Sequence, residues 1–111
     1  PLTDATKNII NKGSIAKMKD GVILINTSRG GLINEDDLVN ALNSGKIYAA
    51  GLDVISEEPP RHDLGILHCE NATITDHIAY LPKTSRLRSV SVAISNFKAY
   101  LDGCPTSVIN K

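Results

Sequence analysis

Apolar and polar positions along the chain alternate between two rhythms. Val22-Ile23-Leu24-Ile25 is a continuous apolar run released by Gly21, the pattern of a parallel strand buried on both faces. Tyr48-Ala49-Ala50-Gly51-Leu52-Asp53-Val54 predicts a second buried strand and Ala72-Thr73-Ile74-Thr75 a third, shorter one. Between the first two the period lengthens. Leu38, Ala41 and Leu42 share one face of a helix of about ten residues. Asn34 is its N-cap, Glu35, Asp36 and Asp37 suit the positive end of the helix dipole, and Gly45 supplies the stop. Asn11 caps an earlier, short helix that carries Ile15 and Met18 inward. After Pro82, the residues Leu87, Val90, Ile94, Phe97 and Leu101 recur at spacings of three and four, which predicts a long helix closed by Gly103. That stripe reads as core or interface rather than as a ligand site. Residues 57–70, with two prolines and a central Leu64-Gly65-Ile66-Leu67, read as a loop with one helical turn, and residues 105–111 as one more extended segment.

Strands alternating with helices imply an α/β fold with a parallel sheet and right-handed crossovers. Two or three strands with three helices make an open half of a doubly wound sheet. The strand at residues 22–26 is apolar enough to be central, yet no strand precedes it here, so its free edge calls for a partner chain or a further segment. The glycines at 13, 21, 30, 31, 45, 51, 65 and 103 never form G-x-G-x-x-G, so the turn that cradles a dinucleotide pyrophosphate is absent. The chain is expected to hold only part of a cofactor site.

Composition narrows the function. With 111 residues and 41% apolar positions the chain forms one domain or one piece of one. Twelve basic residues balance twelve acidic ones, which leaves no field to draw nucleic acid or an anionic membrane. No apolar run approaches the roughly 20 residues that span a bilayer, and the start is too polar for a secretory signal. Cys69 and Cys104 are isolated, which suits free thiols in a reducing, cytoplasmic setting better than a disulfide framework. Pro1 is compatible with a processed methionine and with a fragment of a longer protein.

Three segments carry the chemistry: Thr27-Ser28-Arg29-Gly30-Gly31-Leu32-Ile33-Asn34-Glu35, Gly51-Leu52-Asp53-Val54-Ile55-Ser56-Glu57-Glu58-Pro59 and Thr75-Asp76-His77-Ile78-Ala79. Each follows an apolar run, so an arginine, a carboxylate and a histidine converge at the carboxyl ends of successive parallel strands, where open α/β sheets bind ligands. Arg29 there suits a carboxylate, which its planar fork would grip bidentately while polarising an adjacent carbonyl; alone, it would read first as an exposed arginine capping a strand end. Out of context, the Glu57-Glu58-Pro59-Pro60 turn is a solvated acidic turn and a lone histidine a packed or surface residue. His62 and His68 read as surface residues, and no short histidine spacing or cysteine partner suggests a metal.

Their order and flanks closely resemble the D-isomer-specific 2-hydroxyacid dehydrogenases, NAD(P)-dependent oxidoreductases, from residue 1 to about residue 110. The resemblance implies a Rossmann-like fold in which residues 1–111 form the C-terminal portion of a dinucleotide-binding domain, with the N-terminal substrate domain and the glycine-rich turn absent. It assigns substrate orientation to Arg29, proton transfer at the carbonyl oxygen to His77, and support of the protonated histidine to Glu58 rather than Glu57, since a nearby carboxylate favours imidazolium. Thr27, Ser28, Arg29, Asp53, His77 and Ala79 would face the cofactor, Asp53 through the nicotinamide carboxamide. The cofactor implied is NAD, with NADP not distinguished.

Two departures stand out. Asp76 takes the place of a usual proline before the histidine; it would either raise the proton affinity of His77 or point to solvent. Tyr80-Leu81-Pro82-Lys83-Thr84-Ser85-Arg86-Leu87-Arg88 resembles the glycerate dehydrogenase (hydroxypyruvate reductase) subgroup. The expected activity of the full enzyme is hydride transfer between nicotinamide and a D-2-hydroxy or 2-oxo acid, glycerate/hydroxypyruvate or glyoxylate being favoured. The expected assembly is a homo-oligomer such as a homodimer, or association with a missing N-terminal portion. The alternatives are an NAD(H)-sensing, corepressor-like binding protein, which would keep the same three residues, or an inactive truncated fragment.

Overall fold

The structure, a computed structural model, describes residues 1–109. The chain divides into two compact units, one of residues Pro1–Ile78 and a second that begins at Ala79. In the first, α1 (Lys12–Ala16), β1 (Val22–Asn26), α2 (Glu35–Asn43), β2 (Ile47–Leu52) and β3 (Ala72–Ile74) follow in order, with single 3-10 turns at Gly30–Leu32 and Gly65–His68. The sheet is parallel throughout, ordered β1-β2-β3, with Leu24 opposite Ala50 and Leu52 opposite Ile74.

The helices start where side chains can satisfy their free N–H groups. The Asn11 side chain accepts from the backbone N–H of Gly13 and Ser14, and the Ser14 hydroxyl accepts in return from the Asn11 N–H. Asn34 caps α2 by accepting from Asp37 N–H at 3.1 Å. Gly45 ends α2 with φ of +75°, a left-handed turn in which a side chain would be strained. Leu38, Ala41 and Leu42 of α2 are buried as their spacing requires, against Ile47, Ala50 and Leu52 of β2 and Ile66 of the second 3-10 turn. Leu38, Ile47 and Ile66 are the most completely enclosed, and truncating one to alanine would cost about 2–5 kcal/mol. Ile15 of α1 joins this core, and Met18 packs on its margin although it lies beyond the end of the helix.

Four expectations change or narrow. Strand β1 is not buried on both faces: Leu24 and Asn26 turn towards the core, whereas Ile23 and Ile25 are 64% and 73% exposed. The helices and 3-10 turns of this unit cover one face of the sheet, so the apolar run meets protein on one side only. Strand β2 spans 47–52 rather than 48–54; Tyr48 sits at a register shift and is exposed, while Asp53, Val54 and Ile55 are buried beyond the strand's end. In the second unit α3 (Lys83–Leu101) closes with a left-handed Gly103, whose N–H donates to the Tyr100 carbonyl while Cys104 N–H donates to that of Ala99. Its apolar stripe, expected as core or interface, is not core within this chain: Leu87, Val90, Ile94, Phe97 and Leu101 are all exposed, because their unit supplies no second layer, and the interface reading stands as an expectation. Residues 105–109 form no strand, and the remainder of the extended segment expected there lies outside the described residues. Among the described residues no helix is long and apolar enough to cross a membrane.

Candidate active site at the strand ends

The turn that follows β1 is held by the strand's last residue. Asn26 is 8% exposed; its Nδ2 donates to the Arg29 carbonyl at 2.9 Å and its Oδ1 accepts from Ser28 N–H at 3.0 Å. The Ser28 carbonyl in turn accepts from Arg29 Nη1 at 2.7 Å, so the turn sets the direction of the exposed guanidinium. Gly30 follows because no larger residue fits: a Cβ there would lie 1.7 Å from the Ile55 carbonyl oxygen. That close approach presses the arginine turn against the loop leaving β2.

This second loop is fixed from α2, where Glu35 accepts from Ser56 N–H at 3.1 Å. Its two acids then part company. Glu57 pairs with Arg61 at 2.7 Å, while Glu58 Oε2 lies 2.9 Å from His77 Nδ1. The imidazole beside it holds the Glu58 carboxyl below the usual carboxylate range, with lesser help from the Ile55 backbone N–H and the Arg29 charge, and slight burial acts the other way. His77 has a left-handed backbone, φ +52°, a conformation that non-glycine residues hold only where the surroundings enforce it. Asp53 supplies that enforcement. Its carbonyl accepts from His77 N–H at 3.0 Å, and its Oδ1 accepts from Thr75 Oγ1 and, at 2.8 Å, from Ile78 N–H.

Arg29, Glu58 and His77 thus line one open cleft of about 320 Å³ with Leu2, Gly30 and Ser56. Larger grooves beside β1 and between α1 and α2 hold none of the three. Thr27 and Ser28 lie exposed in the arginine turn, and Ala79 opens the second unit. Asp76 is exposed, as are His62 and His68. Sequence reasoning overlooked Asn26, Gly30 and Glu35 as parts of the site. An asparagine ending an otherwise apolar strand was a usable signal; the bond from Glu35 to residue 56 was not visible, because it crosses the fold.

The strand ends fit the nicotinamide end of a dinucleotide. They offer the exposed residues Thr27 and Ser28 beside a guanidinium and an imidazole, at the edge of a parallel sheet where such cofactors bind. Residues 1–79 match the D-isomer specific 2-hydroxyacid dehydrogenase, NAD binding domain family. The chain is 54% identical over 111 residues to a hydroxypyruvate reductase of Blautia hydrogenotrophica, covering 100% of this chain and 34% of that protein. It superposes on a glyoxylate reductase from Paecilomyes thermophila with a TM-score of 0.75 at 38% identity, covering 88% of this chain and 30% of the other. With the D-lactate dehydrogenase of Lactobacillus jensenii, solved with NAD+, the TM-score is 0.80 at 30% identity, covering 100% and 37%. The chain therefore spans about a third of the length of these relatives. Its parallel sheet, its strand-end cleft and the match over residues 1–79 together place the chain in the D-isomer specific 2-hydroxyacid dehydrogenase family, within the NAD-binding domain.

Proposed function

We propose that this chain is the C-terminal part of the nucleotide-binding domain of a D-2-hydroxyacid dehydrogenase that interconverts a 2-oxo acid and its D-2-hydroxy acid, with hydroxypyruvate or glyoxylate as the favoured substrate. The observation that carries the reading is the 2.9 Å bond between His77 Nδ1 and Glu58 Oε2 in the cleft that Arg29 also lines.

A bound nicotinamide cofactor supplies the hydride. Arg29 takes the substrate carboxylate in its fork and draws electron density from the neighbouring carbonyl. With Nδ1 engaged by Glu58, Nε2 of His77 is the nitrogen that gives a proton to the carbonyl oxygen in reduction and accepts one from the hydroxyl in oxidation. The Glu58 carboxylate steadies the positive ring between these events. Asp53 contributes as a cofactor contact through its carboxylate, and Thr27 and Ser28 through the turn after β1; Ala79 keeps the cofactor role that the family resemblance gives it. The substrate preference follows from the hydroxypyruvate and glyoxylate reductases among the relatives. Cys69 and Cys104 are both free thiols, in keeping with a cytoplasmic enzyme. The exposed apolar sheet face supports a homo-oligomer or packing against the rest of the protein.

The test is NADH oxidation by the full-length protein with hydroxypyruvate and with glyoxylate. Turnover that disappears in His77→Gln is the expected result. Tight NADH binding without turnover of any 2-oxo acid would favour a sensor of the nucleotide instead.

A further inference from the structure

We propose that Asn26 is a positioning residue for Arg29, setting the turn from which the guanidinium reaches the substrate carboxylate; the inference rests on the reading of Arg29 given above. Asn26 sits where two loops meet. Its own carbonyl accepts from Asp53 N–H at 2.9 Å, which joins the end of β1 to the residue that clamps His77. Its side chain spans the turn, donating to the Arg29 carbonyl and accepting from Ser28 N–H. The turn presents one acceptor and one donor, and a buried amide offers the complement of both. No other side chain of that length does so: aspartate sets a second acceptor against the Arg29 carbonyl, and leucine leaves both groups unpaired. Without the amide nothing ties these two backbone groups of the exposed turn to each other, and water takes them separately, so the turn would rearrange. Because the Ser28 carbonyl is the acceptor that aims Arg29 Nη1, a shift at Ser28 passes directly to the guanidinium. Arg29, Glu58 and His77 carry the chemistry, and Asn26 fixes where the first of them stands.

Asn26→Leu and Asn26→Asp in the full-length protein separate this role from a general structural one. The expected result is a KM for the 2-oxo acid raised on the order of tenfold or more, with the KM for NADH changed much less, since displaced positioning groups lose the interaction they align. Amide exchange at Ser28 supplies a readout that does not depend on catalysis. In Asn26→Leu the Ser28 N–H should exchange faster than in the parent; in Asn26→Asp, which keeps an acceptor for it, protection should be largely retained while the KM effect persists. Unchanged Ser28 exchange in Asn26→Leu, or equal rises in both KM values, overturns the proposal. If the parent protein reduces no 2-oxo acid, the functional reading fails, and Ser28 exchange still decides whether Asn26 holds the turn.

Discussion

Asp53 holds His77 from below: its carbonyl accepts the histidine N–H at 3.0 Å while its carboxylate accepts the N–H of the next residue at 2.8 Å. The histidine's left-handed backbone is thus tied to the end of the neighbouring strand, and its ring is left to Glu58 and the cleft. This arrangement, with the arginine turn beside it, leads to the following expectations.

On the proposed mechanism, His77→Gln in the full-length protein should lower kcat on the order of 10²–10⁴-fold, because it removes the proposed proton donor and keeps the binding groups. Arg29→Lys keeps the charge and loses the fork, so its main effect should be a higher KM for the 2-oxo acid. Steady-state kinetics on the two variants distinguishes the roles; a His77→Gln enzyme with the parent kcat would refute the assignment.

The depressed Glu58 carboxyl has a defined pH consequence. A carboxyl with a lowered folded-state pKa contributes stability above the ordinary carboxylate range, and loses it as pH falls through the lowered value. The His77–Glu58 bond should therefore survive into mildly acidic solution. Carboxyl ¹³C titration should place the Glu58 midpoint below that of an exposed glutamate, and His77→Gln should return it upwards, since the histidine is the largest cause of the shift.

Gly30→Ala should destabilise the fold by about 1–3 kcal/mol, because the added methyl overlaps the Ile55 carbonyl and two loops must separate. Separation moves Arg29 away from Glu58 and His77. Chemical denaturation and the KM for the 2-oxo acid should both report it, whereas Gly51→Ala, whose Cβ would lie 3.8 Å from the Ile25 side chain, should be far milder.

The two cysteines should react at different rates. Cys104 is exposed, while Cys69 is 8% exposed with its thiol pushed up by burial. A thiol reagent should label Cys104 rapidly in the native protein and Cys69 only on unfolding. A raised thiol pKa contributes stability below the ordinary thiol range and loses it as pH rises through the raised value, so Cys69→Ala should flatten the alkaline loss of stability.

The isolated 111-residue chain should self-associate at micromolar concentration, since Ile23 and Ile25 leave one sheet face largely exposed. Sedimentation velocity would show it. Ile25→Lys should shift the distribution towards monomer by placing a charge on that face.

The sequence by itself determined the helix caps, the helix stops and the helix faces, whose causes lie within a few residues. Asn11 and Asn34 as caps, Gly45 and Gly103 as left-handed stops, and the inward face of Leu38, Ala41 and Leu42 all follow from neighbouring residues and helical period. The order of arginine, acid and histidine was equally legible, because in a parallel sheet every strand delivers its following loop to the same edge. Burial was not legible where it depended on a second layer: Ile23 and Ile25 have the composition of core, yet only the tertiary structure decided that nothing in their unit covers them. The same holds for the stripe on α3, whose period fixes a helix but not a partner. Tertiary structure also decided how the site is held. The bond from Glu35 to Ser56 and the fit of Gly30 against Ile55 join residues more than twenty positions apart, and the fold turns Glu58, the acid the family resemblance singled out, towards His77 while Glu57 pairs with Arg61. Spacing along the chain carries information about neighbours on one element, whereas these contacts arise only when separate elements are packed.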